Sequence, residues 1–494
     1  MLHLLLGRDW TANRDAVLER IADDVRHRDS GRILIVPELI SHDMERRLCA
    51  WAGDMASRYA EVLSFTRLAR RVSDSMGSAA MACLDNGGRV VAMASAARQL
   101  SSRLKAYASV ETKPEFLTGL IDAVDEFKRC CISPADLMRA AAKTEGSLSQ
   151  KLEELALLME TYDALCSRGK RDPRDQMTWL LEQLEEGSFG QEHVFYIDGF
   201  PDFTRQNMAI IRHLIQVSPH VTVSINCDQP DSGLLAFEKA GQTAKELIRL
   251  ATQSGVEVQI ETVPEKHPGM KPVRNRLFQG PVASGSAREV LHTFHGEDPW
   301  QECMGAARII RELVSSGCRY RDITLVCGDI GVYQPLVDLV FHRFQIPVYR
   351  SGTEEILHKS VINTVITALD AAIGGFDQRE IMAYLRSGLS PLDPDTCDMV
   401  ENYAILWGIR GSKWSAPWDF HPDGLGEPWD ERSHERLRLL NSAREAVIGP
   451  LVRLQQGFRE ATALHQQVKA LYRFLEEIRL AETLDRMARE MDEG

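Results

Sequence analysis

The chain has 494 residues, 44% of them hydrophobic and 26% charged, an ordinary balance for a globular protein with more than one core. A formal net charge of −13 excludes a protein that coats nucleic acid through bulk positive charge, so any such contact must come from local patches. The ten cysteines form no CxxC pair and no zinc-spaced cluster, no apolar run reaches about 18 residues, and no signal-like start is present, which predicts a reduced, cytoplasmic chain with no membrane partner.

Short apolar runs predict strands at Leu2–Leu6, Ile33–Val36, Val62–Ser64, Val194–Ile197, Val221–Ile225, Val256–Ile260, Val290–Phe294, Ile323–Cys327 and Val348–Tyr349. Helix-period segments lie between them, among them Asp15–Arg26, Lys151–Cys166, Asp175–Leu184 and Arg205–Gln216. Strands alternating with helices read as α/β, with parallel sheets. The strands fall into a first domain, residues 1–285, and a second, residues 286–494. A helical insertion is expected at about 75–175 of the first. The Gly-, Pro- and Ser-rich stretch HPGMKPVRNRLFQGPVASGS reads as the linker. The closing AETLDRMAREMDEG is an amphipathic helix without a cap or tail, the ending expected of a fragment.

The opening LLLGRDWTANRDAVLERI has the layout of a phosphate-binding loop: apolar strand, glycine, polar loop, then a helix expected from about Arg14 or Asp15. A working loop reads G-x-x-x-x-G-K-[ST], in which backbone N–H groups surround the phosphates, the lysine reaches the outer ones and the hydroxyl holds magnesium. Here Gly7 takes the first position, Ala12 the second glycine, Asn13 the lysine and Arg14 the hydroxyl, and Trp10 sits inside the loop. Only the helix dipole would remain, ~0.3–1 kcal/mol, too little for useful ATP affinity. A plain strand-helix connection that never bound a ligand gives the same pattern. A second partial motif, HVFYIDGFPDFTRQ, delivers Asp198 at a strand end, where a nucleotide hydrolase holds magnesium, but its neighbour is Gly199 rather than an acid that orients water. A turn or cap role for Asp198 is the alternative. Asp198 and Asp202 are separated by a Gly-Phe-Pro turn, where a turn-and-cap role is favoured over a shared metal.

Together these stretches resemble the AddB family, the second subunit of the bacterial AddAB helicase-nuclease. The resemblance also rests on ILIVPELISHDMERRL, EVLSFTRLARRV, FYIDGFPDFTRQ, YRDITLVCGDIGVYQPLVDLVFHRFQIPVY and ENYAILWGIRGSKW, in order along nearly the whole chain. It implies two RecA-like domains of superfamily 1 helicase type in a subunit that does not drive unwinding. It also implies an AddA-type motor partner, processing of DNA double-strand ends for recombinational repair, and scanning of the 3′ strand for a Chi sequence. A C-terminal nuclease with an iron–sulphur cluster on four cysteines is implied as well, but its residues would lie beyond Gly494, so neither the cluster nor the nuclease metal is expected in this chain. The chain departs from the family at the phosphate loop, and at Gly328, where related motors often carry an arginine.

Single-strand binding needs a cationic groove and flat side chains. Phe65, with Arg67, Arg70 and Arg71, follows a strand end and is a candidate DNA contact; a core phenylalanine beside a solvated arginine face is the alternative. Arg168, Lys170, Arg171 and Arg174 are offset by Asp172 and Asp175 and read as a capped loop. In NYAILWGIRGSKW, Trp407 reads as core, and Arg410 and Lys413 as the better DNA candidates. The resulting expectation is an inactive helicase-like subunit that binds single-stranded and duplex-end DNA and an AddA-type motor. Its rivals are a weak ATPase retaining magnesium at Asp198, and a scaffold that binds only its partner.

Overall fold

The computed structural model describes residues 1–77, 82–108, 113–231, 233–266, 270–274, 290–350 and 356–493. The chain divides into two units, Met1–His295 and Gly296–Gly494. Most of the linker stretch lies outside the described residues. Helices of eight or more residues are numbered below.

The first unit is built on six strands: β1 (Leu2–Leu6), β2 (Arg32–Ile35), β3 (Ala60–Leu63), β4 (Val194–Ile197), β5 (Val221–Ile225) and β6 (Val258–Thr262). Their order is β3-β2-β4-β5-β1-β6 and every pairing is parallel. Leu4 lies opposite Val223 on one side and Ile260 on the other, so the first strand of the chain is interior. All five β1 residues are buried, the near-continuous apolar strand expected when helices cover both faces. On one face Leu2, Leu4 and Leu6 pack with α3 (Phe65–Ser75), α8 (Gln176–Glu186), α9 (Arg205–Val217) and α10 (Glu238–Gln253). On the other, Leu5, Leu34 and Tyr196 pack with α1 (Trp10–Arg26) and α2 (Ser41–Ala52). Parallel strands bring every strand C-terminus to one edge, which therefore gathers Gly7, Pro37, Ser64, Asp198 and Asn226.

Several boundaries differ from expectation, and two have a local cause. Helix α1 begins at Trp10, because the Asp9 carboxylate accepts from the Thr11 and Ala12 amides and caps it there. Strand β6 begins at Val258, because the Val256 amide is spent on Ala251 O, closing the preceding helix.

The insertion between α3 and α8 is helical: α4 (Asn86–Gln99), α5 (Pro114–Arg129), α6 (Pro134–Ala141) and α7 (Ser147–Cys166), around Met93, Ile121, Met159 and Tyr162. It also encloses charge. Lys128 Nζ lies 2.8 Å from Asp163, 3.2 Å from Asp172 and 2.6 Å from Asp175. Arg89 pairs with Asp125 and lies 3.3 Å from Asp172, and Arg174 binds Asp125 at 2.7 Å. Burial works against the Asp172 carboxylate, but Lys128, the Arg174 amide and Arg89 hold it below its ordinary range. Burial pushes Asp163 up despite Lys128. Of the predicted basic patch at 168–174, Arg174 is tied to Asp125 and Asp172 caps the turn through the Arg174 amide, while Arg168, Lys170 and Arg171 are exposed.

The described residues of the second unit are helical: α11 (Pro299–Ser315), α12 (Ile330–Arg343), α13 (Ser360–Ile373), α14 (Gln378–Leu385), α15 (Pro394–Trp407), α16 (Glu431–Glu460), α17 (Leu464–Glu477) and α18 (Leu480–Glu493). The strands expected at Val290–Phe294, Ile323–Cys327 and Val348–Tyr349 have no ladder partner among the described residues. Helices α11 and α12 share one small core, with Ala307, Val340 and Phe341, and α13 to α17 share a larger one around Tyr384, Tyr403, Trp414 and Phe474. Among the described residues no helix is long and apolar enough to cross a membrane.

The sheet carries a pH-sensitive contact. His3 on β1 is buried, its ring 6.0 Å from His220 and its Nε2 3.2 Å from Glu261, which also binds Arg20 at 2.6 Å. Burial lowers the pKa of both histidines below the usual 6.5; Arg20 adds to the effect on His3, and His3 to that on His220. A histidine with a lowered folded pKa takes up its proton more readily when unfolded, so stability is lost as pH falls through about 6.5. Urea midpoints should therefore drop between pH 7.5 and 5.5, and the drop should shrink in His3→Gln. Equal slopes in both proteins would refute this.

Candidate functional site

The strand-end edge collects both partial motifs. Asn13, in the second turn of α1, turns back into the loop: its Nδ2 donates to Gly7 O at 2.9 Å and to Ile225 O at 3.3 Å. The loop closes so tightly that a Cβ on Gly7 would meet Asn13 Oδ1 at 2.2 Å. Glycine is required there by proximity to a side chain of the same chain. Asp9 is buried at the helix start, where its carboxylate also accepts from the Lys266 amide at 3.2 Å. A carboxylate thus holds the helix amides that a phosphate would need.

Arg14 and Asp198 meet across this edge. Arg14 Nε lies 3.2 Å from Asp198 Oδ2, and both side chains are at most 5% exposed. Ser224 Oγ, from the end of β5, donates to the other Asp198 oxygen, and the Asp198 amide donates to Ile35 O. Trp10 covers the guanidinium, with Arg14 Cζ 4.3 Å from its ring centroid, and is itself 55% exposed. Gly199 follows with φ +83°, and a Cβ there would crowd Ile40 and Pro37. Asp202 pairs with Lys239, so the two aspartates have separate cationic partners and do not form a shared metal site. Among the described residues no group of three His, Cys, Asp or Glu side chains is arranged to hold a metal.

The DNA candidates are dispersed. Phe65 is 6% exposed and packs at 5.5 Å against Phe200, so the expectation of a stacking face is corrected: it begins α3 with its ring turned into the sheet core. Arg71 is held by Glu61 at 3.0 Å and Arg67 by Glu45 at 3.0 Å. Arg70 is exposed, with no ion pair among the described residues. In the second unit Arg410 and Lys413 are exposed, while the aromatics beside them are structural. Tyr403 stacks on Trp418 and Trp407 on Phe420, each at 4.6 Å, and Trp407 Nε1 donates to His421 O.

Asp9, Ser224 and the Lys128 cluster escaped the sequence reading. Asp9 carried a signal, an acidic residue just before a helix. Ser224 carried none, because its role depends on β5 lying next to β4.

A family model described as "ADDB, N-terminal" matches residues 4–276, just over half of the chain. The chain belongs to the AddB family. Its fold is α/β, a parallel six-stranded sheet with helical insertions, as expected of the RecA-like architecture of AddB proteins. It is similar to an ATP-dependent helicase/deoxyribonuclease subunit of Geobacillus kaustophilus, 28% identical over 522 residues that cover 99% of this chain and 45% of that relative. Proteins of the same name from Desulforudis audaxviator and Clostridium kluyveri are 27% and 25% identical, over 99% and 98% of this chain and 45% and 44% of their own lengths. The chain thus spans less than half the length of these AddB relatives.

Proposed function

We propose that this chain is an AddB-type helicase-like module that has given up nucleotide chemistry, acts in DNA-end processing beside an AddA-type motor, and binds single-stranded DNA without hydrolysing ATP. The observation that carries this reading is the buried Arg14–Asp198 ion pair. A RecA-like fold implies Mg·ATP, and the residues here do not fit it. Asn13 supplies no charge for the outer phosphates, Arg14 offers no oxygen to a metal, and Asp9 already accepts from the helix amides. A weak ATPase using Asp198 would first have to break a buried ion pair. The iron–sulphur cluster and nuclease metal of the family belong, on this reading, to sequence beyond this chain, and any reading of a Chi-like sequence falls to the helicase-like part of the subunit.

DNA contact is assigned to Arg67 and Arg70 on α3, with Arg410 and Lys413 as further cations. Two measurements test the whole reading. Phosphate release from ATP should stay at background with and without single-stranded DNA. Anisotropy with a labelled single-stranded oligonucleotide should report binding that weakens steeply between about 50 and 200 mM salt. Removing Arg70 together with Arg67 should weaken it about tenfold and flatten the salt slope by about two. Absence of binding at low salt would leave a partner-binding scaffold instead.

A further inference from the structure

The misfit between the RecA-like edge and Mg·ATP has a specific form. Asp198 is a buried carboxylate at the end of a central strand, and a buried charge is tolerated only when compensated. In a nucleotide site the compensating cation arrives with the ligand. Here it is part of the chain, on the α1 position where a phosphate loop carries its metal-binding hydroxyl.

We propose that Arg14 is a built-in substitute for the metal: its guanidinium neutralises Asp198 permanently, so that the first unit keeps a cation-filled arrangement at this edge in the absence of any nucleotide. Three features support it. The guanidinium cannot lose its proton and is more weakly hydrated than an ammonium, which makes it the side-chain cation best suited to burial. Its second face is covered by Trp10, which keeps water from the pair. The remaining Asp198 oxygen accepts from Ser224, so the carboxylate is satisfied from within the unit, while among the described residues Arg14 Nη2 has no hydrogen-bond acceptor. Asn13 completes the closure by bridging Gly7 and Ile225 across the loop. This inference rests on the inactive reading above and adds to it: the edge is occupied by its own side chains rather than left open.

The test compares the full chain with Arg14→Thr, which restores the hydroxyl beside Asp198. The wild-type melting temperature should not respond to millimolar MgCl2 or to Mg·ATP. Arg14→Thr should melt roughly 5–10 °C lower in EDTA, because Asp198 is left buried and unpaired. Millimolar Mg2+ should recover about half of that loss, and none of it in Arg14→Thr/Asp198→Asn. An Arg14→Thr that melts like wild type, or one whose loss no divalent cation reduces, overturns the substitution. If Arg14→Thr does not fold, the wild type decides: stabilisation by Mg2+ or by Mg·ATP overturns the proposal, and indifference to both, with Arg14→Lys folded and equally indifferent, upholds it. ATP turnover by the wild type would defeat the inactive reading itself, whereas failed rescue with no turnover defeats only this inference.

Discussion

Replacing Lys128 with Met should lower the stability of the first unit by about 3–5 kcal/mol, the range expected when one partner of a buried ion cluster is removed. The magnitude follows from position. The ammonium is nearly out of solvent and stands within 3.2 Å of Asp163, Asp172 and Asp175. Without it three carboxylates face one another at the join of α5, α7 and the turn leading into α8, and Asp172 is left with Arg89 and the Arg174 amide. Methionine fills much the same volume, so the loss reads charge rather than a cavity. Acid should affect the two proteins differently. In the wild type Asp172 is held below its usual 3.8, so its contribution is present above that pH and fades as pH falls past it. In Lys128→Met the crowded carboxylates gain by protonation, so the variant should recover stability on mild acidification. Urea denaturation at pH 7, 5 and 3 measures both, and a loss under about 1 kcal/mol at pH 7 would mean that the cluster is not the clasp of the insertion.

Trp414→Ala should cost the second unit about 3–5 kcal/mol, the usual range for deleting a large buried aromatic. Trp414 is fully buried, meets Trp418 edge-on at 5.4 Å, and its carbonyl accepts from Arg444 Nη1 at 2.9 Å, on α16. Trp418 stacks on Tyr403, so a single truncation loosens α15, α16 and the segment between them together. Trp414→Phe should recover much of the loss. Thermal unfolding of both variants, followed by near-ultraviolet circular dichroism, checks this; an alanine variant within about 1 kcal/mol of wild type would show that the aromatic block is not the core of this unit.

The sheet was legible in the sequence because both of its faces are covered. LHLLL and FYI are nearly unbroken apolar runs and VTVSI is rich in β-branched residues, and such runs between helix-period segments have few alternative readings. At Ile323–Cys327 an equally apolar run has no strand beside it among the described residues; periodicity carries no information about neighbours. The candidate site was half legible. Gly7, Asn13, Arg14 and Asp198 stand out by spacing, but that Arg14 and Asp198 meet depends on two elements 184 positions apart. Phe65 was ambiguous by its chemistry, since an exposed stacking ring and a core ring look alike in one sequence, and its packing against Phe200 decided it.

The interior position of β1 bears on how the chain is made. The first five residues to form a strand leave the ribosome early, yet their partners are Val221–Ile225 and Val258–Thr262. At about 5–20 residues per second, β1 waits roughly ten seconds or more, an apolar segment with both edges open, while the helical insertion, whose contacts are more local, is free to form first. The insertion then shortens the path between the two halves of the sheet before the last strands arrive. Nascent chains stalled before Val221 should hold a protease-resistant α4–α7 core and an N-terminus that is still cut freely.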